Sequence, residues 1–323
     1  MTRTRSLAAS LLSLTAAAVL ALAGAGTATA APAASGEDST PSFASVKVDS
    51  TGAAEYWTAD RMRAAIPGDV LAGNASGRPA TAAESVDKGK NKKVRATKAN
   101  PGKLKLASEA DPVKHVGKVF FTLGGANYVC SGNAVVSKNR SLVATAGHCV
   151  SDGPGSFATN FTFVPAYKDG AAPYGAWTAE ALYTTKQWEA AGDIAYDTGF
   201  AVMSPLDGHR LTDVVGGSGV EFNAERGGQY TAYGFPASKP YDGERLWSCT
   251  GTAVNDTRHP EFETQGIPCN MTGGSSGGPW FLGGNADGLQ NSVNSYGYSG
   301  AGMMYGPYWG TVIEETYTFA EAS

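Results

Sequence analysis

The chain has 323 residues, 42% of them apolar, enough for one or two domains with a true core, and a formal net charge of −4. The charge is uneven: residues 31–109 hold 12 Lys+Arg against 9 Asp+Glu, whereas residues 110–323 hold 11 against 20. Nucleic-acid binding requires positive charge on the folded part, so that class of partner is excluded.

The first residues, Thr2-Arg3-Thr4-Arg5, lead into an Ala/Leu-rich run over residues 7–25 and then Ala28-Thr29-Ala30 before Ala31. A basic start, an apolar middle and an A-x-A site form a secretory signal peptide over residues 1–30. No second apolar run of that length follows, so the expectation is a secreted, extracellular protein with no membrane contact once the signal is removed.

Residues 31–109 are rich in Ala, Ser, Gly and Lys, with a charged run at Asp87-Lys88-Gly89-Lys90-Asn91-Lys92-Lys93. Their few apolar residues keep no sustained period, which marks a weakly structured pro-segment or linker. Within it, Trp57, Met62 and Ile66 are spaced like one helix face. A positive segment beside an acidic body suggests an intramolecular cover that inhibits the folded part.

From residue 110 the texture changes to short apolar, β-branched runs separated by Gly, Pro, Asn and Asp, as in an all-β sandwich or barrel. Residues 119–123 and 128–131 read as a hairpin around Gly124-Gly125, and 134–136 with 142–144 as a second pair. Further strands are expected at 161–164, 177–183, 200–203, 230–233, 246–250, 279–282 and 292–296. The last element reads as a helix, with Thr311 and Glu314 forming a capping box and Val312, Thr316, Tyr317 and Ala320 sharing a face.

All four cysteines lie in this part, an even count that argues for two disulfides in an exported chain. Three pairings are open; sequence neighbours suggest Cys130 with Cys149 and Cys249 with Cys269, each closing about 20 residues and adding roughly 3 kcal/mol. The spacing matches no zinc site.

The most informative stretch is Cys269-Asn270-Met271-Thr272-Gly273-Gly274-Ser275-Ser276-Gly277-Gly278-Pro279-Trp280. A tight glycine loop pinned between a cysteine and an apolar run can turn several backbone N–H groups into one small volume. A serine there is a candidate nucleophile, and it needs a base. Of four histidines, His115, His209 and His259 sit in polar, turn-like surroundings, whereas His148 ends the apolar run of residues 142–146 beside Cys149.

Thr145-Ala146-Gly147-His148-Cys149 and Gly274-Ser275-Ser276-Gly277-Gly278-Pro279 resemble the histidine and serine signatures of the chymotrypsin-like (trypsin-fold) serine proteases, in the secreted bacterial branch that includes glutamyl-endopeptidase-like enzymes. The resemblance covers about 210 residues. Gly274 to Gly278 also fits the G-x-S-x-G elbow of α/β-hydrolases, but there the histidine follows the serine, and no histidine follows Ser276. The resemblance implies two six-stranded Greek-key β-barrels packed together with a short C-terminal helix. It also implies a monomeric endopeptidase acting on polypeptides, with no metal or organic cofactor.

In that resemblance Ser276 is the nucleophile, His148 the base, and an aspartate between them orients the ring. Asp193-Ile194-Ala195 and Asp197-Thr198-Gly199-Phe200 both fit the family's pattern; Asp197 is favoured because it leads directly into a strand. The N–H groups of Gly274 and Ser276 would form the oxyanion hole. The primary pocket falls at Asn270 and Met271, with a wall at Ser295, Tyr296 and Gly297 whose backbone pairs with an extended substrate. The base of that pocket carries no acidic residue, and the Thr near Met271 and His near Asn294 of the glutamyl enzymes are missing, which leaves neutral side chains as the expected preference.

One departure is informative. In the animal digestive branch an aspartate precedes the nucleophile and pairs with a new N-terminal amine after cleavage; here Ser275 stands there, so that switch cannot form. The mature chain is expected to begin between residues 98 and 116. A catalytically silent peptide-binding homologue and a secreted esterase with the same triad remain the other readings.

Overall fold

The computed structural model describes residues 41–76, 86, 88–95 and 107–323. The proposed signal peptide lies outside them, as does the part of the mature-start window before residue 107.

A hairpin begins the body. β5 (Val116–Leu123) and β6 (Ala126–Val135) join through Gly124 and Gly125, both at positive φ (56° and 81°), the backbone a two-residue hairpin turn demands. β7 (Leu142–Thr145), β8 (Thr159–Pro165), β9 (Trp177–Thr185) and β10 (Gly199–Met203) complete a closed six-stranded barrel in the order β9-β10-β7-β6-β5-β8, with β8 pairing back to β9. Its interior is aromatic and aliphatic, with Phe121, Phe161, Phe163, Trp177 and Phe200 all buried. The expected strands at 128–131 and 134–136 are one strand, β6. Gly132, which reads as a break, lies inside it, where a Cβ would meet Val119 and Val143 side chains at 2.9 and 3.0 Å.

The second half is more open. β11 (Gly219–Phe222), β12 (Gln229–Gly234), β13 (Trp247–Thr252), β16 (Pro279–Leu282) and β17 (Leu289–Val293) form the sheet β11-β17-β16-β12-β13. β14 (Val254–Asn255), β15 (Gln265–Pro268) and β18 (Met303–Gly306) form a small sheet beside it. Disulfides Cys130–Cys149 and Cys249–Cys269 are both formed, as neighbour pairing anticipates.

The C-terminal helix (Thr311–Ala320) buries Ile313, Thr316, Tyr317 and Ala320. Its cap is Gly310 rather than the Thr311–Glu314 box, because Glu314 is taken by Asn223 Nδ2 at 2.8 Å and Lys92 Nζ at 3.1 Å. Among the described residues no helix is long and apolar enough to cross a membrane.

The upstream segment carries more structure than its composition suggests, because it borrows its partners from the body. β1 (Phe43–Lys47) pairs with β9, β2 (Ile66–Pro67) with β6, β3 (Lys92–Val94) with β11 and β4 (Ser108–Glu109) with β13. Each of β1, β3 and β4 extends a sheet at an edge, where unpaired backbone groups await a partner. Between them lie α1 (Ala53–Tyr56), α2 (Ala59–Ala64) and α3 (Asp69–Ser76). The single helix face expected through Trp57, Met62 and Ile66 is broken, since Pro67 forces Ile66 to be extended. Trp57 is buried against Phe120 instead. The basic run meets acidic partners: Lys88 with Glu225 at 2.8 Å, Lys92 with Glu314, and Lys93 with Glu221 at 2.9 Å. These lysines are half exposed, so each pair contributes below about 1 kcal/mol.

One buried cation lies in the first barrel. Lys118 on β5 is 3% exposed, its Nζ 4.3 Å from the Tyr167 ring centre and 4.0 Å from Glu244. Burial pushes its ammonium down to about 8, against the pull of Glu244 and Asp242. The unfolded chain therefore binds a proton that the folded chain lacks between about pH 8 and pH 10.5, and stability rises with pH across that window. Lys118→Met removes the cost of the buried charge, and Glu244 keeps its bonds from Tyr167 Oη. We expect about 1 kcal/mol greater stability at pH 7 and a loss of the rise towards pH 10, measured by thermal unfolding at both values.

Candidate active site

The glycine loop is held by a buried amide. Asn294, just after β17, donates from Nδ2 to the carbonyls of Ser275 (2.9 Å) and Tyr233 (2.8 Å) and accepts from Trp280 Nε1 (2.8 Å). Its backbone carbonyl accepts from Gly277 N at 2.7 Å and its N–H donates to Gly278 O at 2.8 Å. Ser131 on β6 fixes the other side, donating from N to Ser276 O at 2.7 Å and from Oγ to Gly274 O at 2.9 Å. Gly274 and Gly277 have φ of 93° and 78°, and a Cβ on Gly277 would run into Thr145 Oγ1 and the Ser131 carbonyl. No other residue type fits at Gly277. Ser275 is buried and donates from Oγ to Thr272 O at 2.7 Å, a local bond where an ion pair would be needed for the amine-triggered switch.

Within residues 274–278 the backbone donors divide cleanly. Ser275, Gly277 and Gly278 N–H groups all have carbonyl partners. Gly274 N and Ser276 N have none among the described residues. Two unpartnered donors, one of them the N–H of Ser276 itself, are what a developing oxyanion requires.

His148 sits on a 3-10 turn, Gly147–Cys149, at the end of β7, tied to β6 through the Cys130–Cys149 disulfide. Asp197 closes another 3-10 turn, Ile194–Tyr196, just before β10. Because β10 pairs with β7, Gly199 opposite Thr145, these two strand ends meet. His148 Nδ1 donates to Asp197 Oδ2 and His148 N to Oδ1, both at 2.8 Å. Ser295 Oγ adds a third donor to Asp197 Oδ2 at 2.5 Å. Histidine and aspartate are both fully buried. A Cβ on Gly147 would press on Asp197 Oδ1 and Trp188 at 2.9 Å, which explains the glycine before the histidine. Asp193 is engaged differently: its Oδ1 accepts from Ala195 N at 3.0 Å, capping the turn, and burial pushes its carboxyl up.

With Nδ1 carrying the proton bonded to Asp197, Nε2 is left as an acceptor, and it is buried without a hydrogen-bond partner among the described residues. The bond from Ser276 Oγ to Nε2 is thus not made in this structure. Asp69, from the upstream α3, lines the same cavity as Ser276 and sits in the field of His148.

That cavity has a volume of about 660 Å³, and Asn270, Met271, Ser295, Tyr296 and Gly297 all line it. The expected wall is narrower than the sequence suggests. Ser295 N and Tyr296 N donate to Tyr305 O, and Tyr305 N returns to Tyr296 O at 2.8 Å, so the Ser295 carbonyl and Gly297 remain for a substrate backbone. Tyr296 Oη donates to Asp256 Oδ2 at 2.7 Å and its ring stacks on Tyr305 at 5.1 Å, which makes the wall rigid. Burial raises Asp256, but the phenols of Tyr298 and Tyr296 and two backbone N–H groups outweigh it and hold the carboxyl low. Sequence reasoning misses Asn294, Ser131 and Asp69. The signal that could have been read is Asn294 beside Val293 close to the glycine loop, since a buried amide needs several partners.

No family model matches the sequence. A crystal structure of the protease Anisep from Arthrobacter nicotinovorans is 63% identical with a TM-score of 0.67, covering 68% of this chain and 100% of that one. The thermostable serine protease AL20 from an extremophilic microorganism is 49% identical with a TM-score of 0.63, covering 65% of this chain and 98% of that one. A Glu endopeptidase structure, 18% identical with a TM-score of 0.55, covers 69% of this chain and 99% of that one and shares the fold. Among curated proteins, an extracellular metalloprotease of Bacillus subtilis (strain 168) is 29% identical over 125 residues, 39% of this chain, and the match spans 38% of that relative's length. That relative's name invokes a metal, and the donor set here does not fit one. The one grouping of candidate ligands among the described residues is Cys130, His148 and Cys149, whose sulfurs are bonded to each other and whose imidazole is held by Asp197.

Proposed function

Because the chain belongs to the chymotrypsin-like serine proteases, we propose that it is a secreted endopeptidase working through Ser276, His148 and Asp197, held inactive by its own upstream segment. The observation that carries this reading is the buried His148–Asp197 pair facing a glycine loop whose Gly274 and Ser276 N–H groups are unpartnered.

The chemistry follows from these positions. His148 Nε2 takes the Ser276 proton as Oγ attacks the substrate carbonyl carbon, and the negative oxygen is met by the Gly274 and Ser276 N–H groups, each worth about 3 kcal/mol in such a site. Asp197, fixed by three donors, stabilises the imidazolium and keeps its orientation. The imidazolium then gives its proton to the leaving nitrogen, the C–N bond breaks, and an ester to Ser276 remains. Water, deprotonated by His148, attacks that ester and releases the acid.

Among the described residues Asp69 is the one charged side chain lining the cavity, and it belongs to the upstream segment. Once that segment leaves, the lining is uncharged, which favours neutral side chains in the primary pocket. Asp69 in the lining of the cavity, with the basic run paired to Glu221, Glu225 and Glu314, supports the segment as a cover.

Peptide-library cleavage by the processed chain and its Ser276→Ala variant tests activity, nucleophile and pocket together. Cleavage after neutral residues by the wild type alone is expected; equal cleavage by the variant contradicts the assignment. Turnover of an ester with none of the matching amide would indicate an esterase.

A further inference from the structure

The upstream segment enters the cleft from a particular end. Ser276 attacks a carbonyl whose side chain occupies the cavity between Asn270 and Gly297, so the substrate residues preceding the cut bond lie on the Tyr296 side. The leaving nitrogen and the residues after it lie on the opposite side, along β6. That strand approaches the nucleophile in the direction of its numbering, because Ser131, beyond Val129, is the residue that donates to Ser276 O. The leaving half of a substrate runs away from Ser276, so beside β6 it must lie antiparallel.

β2 is parallel to β6 instead. Ile66 pairs with Tyr128 and Pro67 with Val129, and Gly68 N donates to Val129 O at 2.9 Å. The chain thus arrives from the leaving-group side. At the nucleophile Asp69 presses on Gly273, where a Cβ would collide with its carboxylate. Three residues later Ala72 is 1% exposed, packed with Trp188, Ile194, Phe262 and Tyr296 on the far side.

We propose that residues 66–72 fill the substrate cleft in the reverse chain direction, and so block it without being cut. This rests on the reading of the upstream segment as a cover. A peptide bond reversed at Ser276 exchanges the positions of its nitrogen and its carbonyl carbon. The departing amine would then lie on the cavity side, away from the β6 side along which a substrate's leaving half is drawn off. The segment is also laid flat against the disulfide: a Cβ on Gly68 would stand 2.6 Å from Cys130 Sγ and 3.3 Å from the Val129 carbonyl, so only glycine follows this path.

The test uses the full chain carrying Ser276→Ala, which prevents self-cleavage, with one of two cysteine pairs added and disulfides mapped by mass spectrometry after mild oxidation. Ile66→Cys with Tyr128→Cys is expected to cross-link, and Ala72→Cys with Tyr128→Cys is not. A 72–128 cross-link, or none from either pair in chains that unfold at the parent temperature, overturns the reverse direction. Activity separates this from the cover reading: a wild-type chain that turns over a peptide substrate equally fast before and after removal of the segment sinks the cover, whatever the cross-links show. Gly68→Ala in the otherwise wild-type chain is expected to raise the activity of the unprocessed protein several-fold; no change in that variant counts against the close docking on Cys130.

Discussion

Ser276→Ala lowers kcat/KM of the processed enzyme by about 10⁵- to 10⁶-fold while leaving the unfolding temperature within a degree or two of the wild type. The loss is large because no other group in the cleft supplies a nucleophile at that position: Ser275 turns its Oγ back to Thr272 O at 2.7 Å. The fold is spared because the loop is held through the Ser276 carbonyl, the Gly277 N–H and the Asn294 amide, none of which the substitution touches. The unpartnered Gly274 and Ser276 N–H groups remain, so a residual rate of about 10³-fold over the uncatalysed reaction should persist. Active-site titration and steady-state kinetics on one peptide substrate measure both parts.

Asp197→Asn is expected to reduce kcat by about 10⁴-fold at neutral pH, and Asp193→Asn by less than tenfold. Asp197 accepts from His148 N, His148 Nδ1 and Ser295 Oγ. An amide there can present its NH₂ to the ring, which moves the ring proton to Nε2 and removes the base that Ser276 needs. Asp193 makes its bond to Ala195 N and caps the turn on which Asp197 sits, so its amide variant keeps an acceptor for the same bond. Comparable losses in both variants would place the orienting role across the whole turn. A large loss confined to Asp193→Asn would reverse the assignment.

The parts of this site legible in the sequence are those whose chemistry is written locally. Residues 145–149 and 274–279 carry residue types that only special backbone positions demand, and Gly147, Gly274 and Gly277 each meet a neighbour that a side chain would strike. The strand at 279–282 lies where its apolar pattern puts it. By contrast β17 ends at Val293 rather than reaching 296, because Asn294 and Ser295 leave the sheet to hold the glycine loop and Asp197. β11, β15 and β18 were hidden by glycines at their ends or interiors, which weaken the period of two. The upstream segment was least legible, since β1 to β4 find their partners on strands distant in sequence, and propensity cannot report a pairing that the body supplies.

Ser275 is the point at which sequence and structure agree on something unfamiliar. The aspartate-to-amine switch is absent, and its place is taken by hydrogen bonds to Thr272 and from Asn294 that need no new N-terminus. The glycine loop is therefore in its bonded form while Asp69 lines the same cavity, so on the proposed reading of the segment as a cover, its removal is the remaining step to activity.

The central claim is that Ser276 becomes nucleophilic through His148. Treating the processed wild-type chain with a fluorophosphonate probe, followed by peptide mapping, tests it most directly. The account predicts one label per chain, on Ser276, with activity lost in proportion, and no label when His148→Ala is treated in the same way. A probe found on another residue, or full activity in a chain labelled at Ser276, would contradict it.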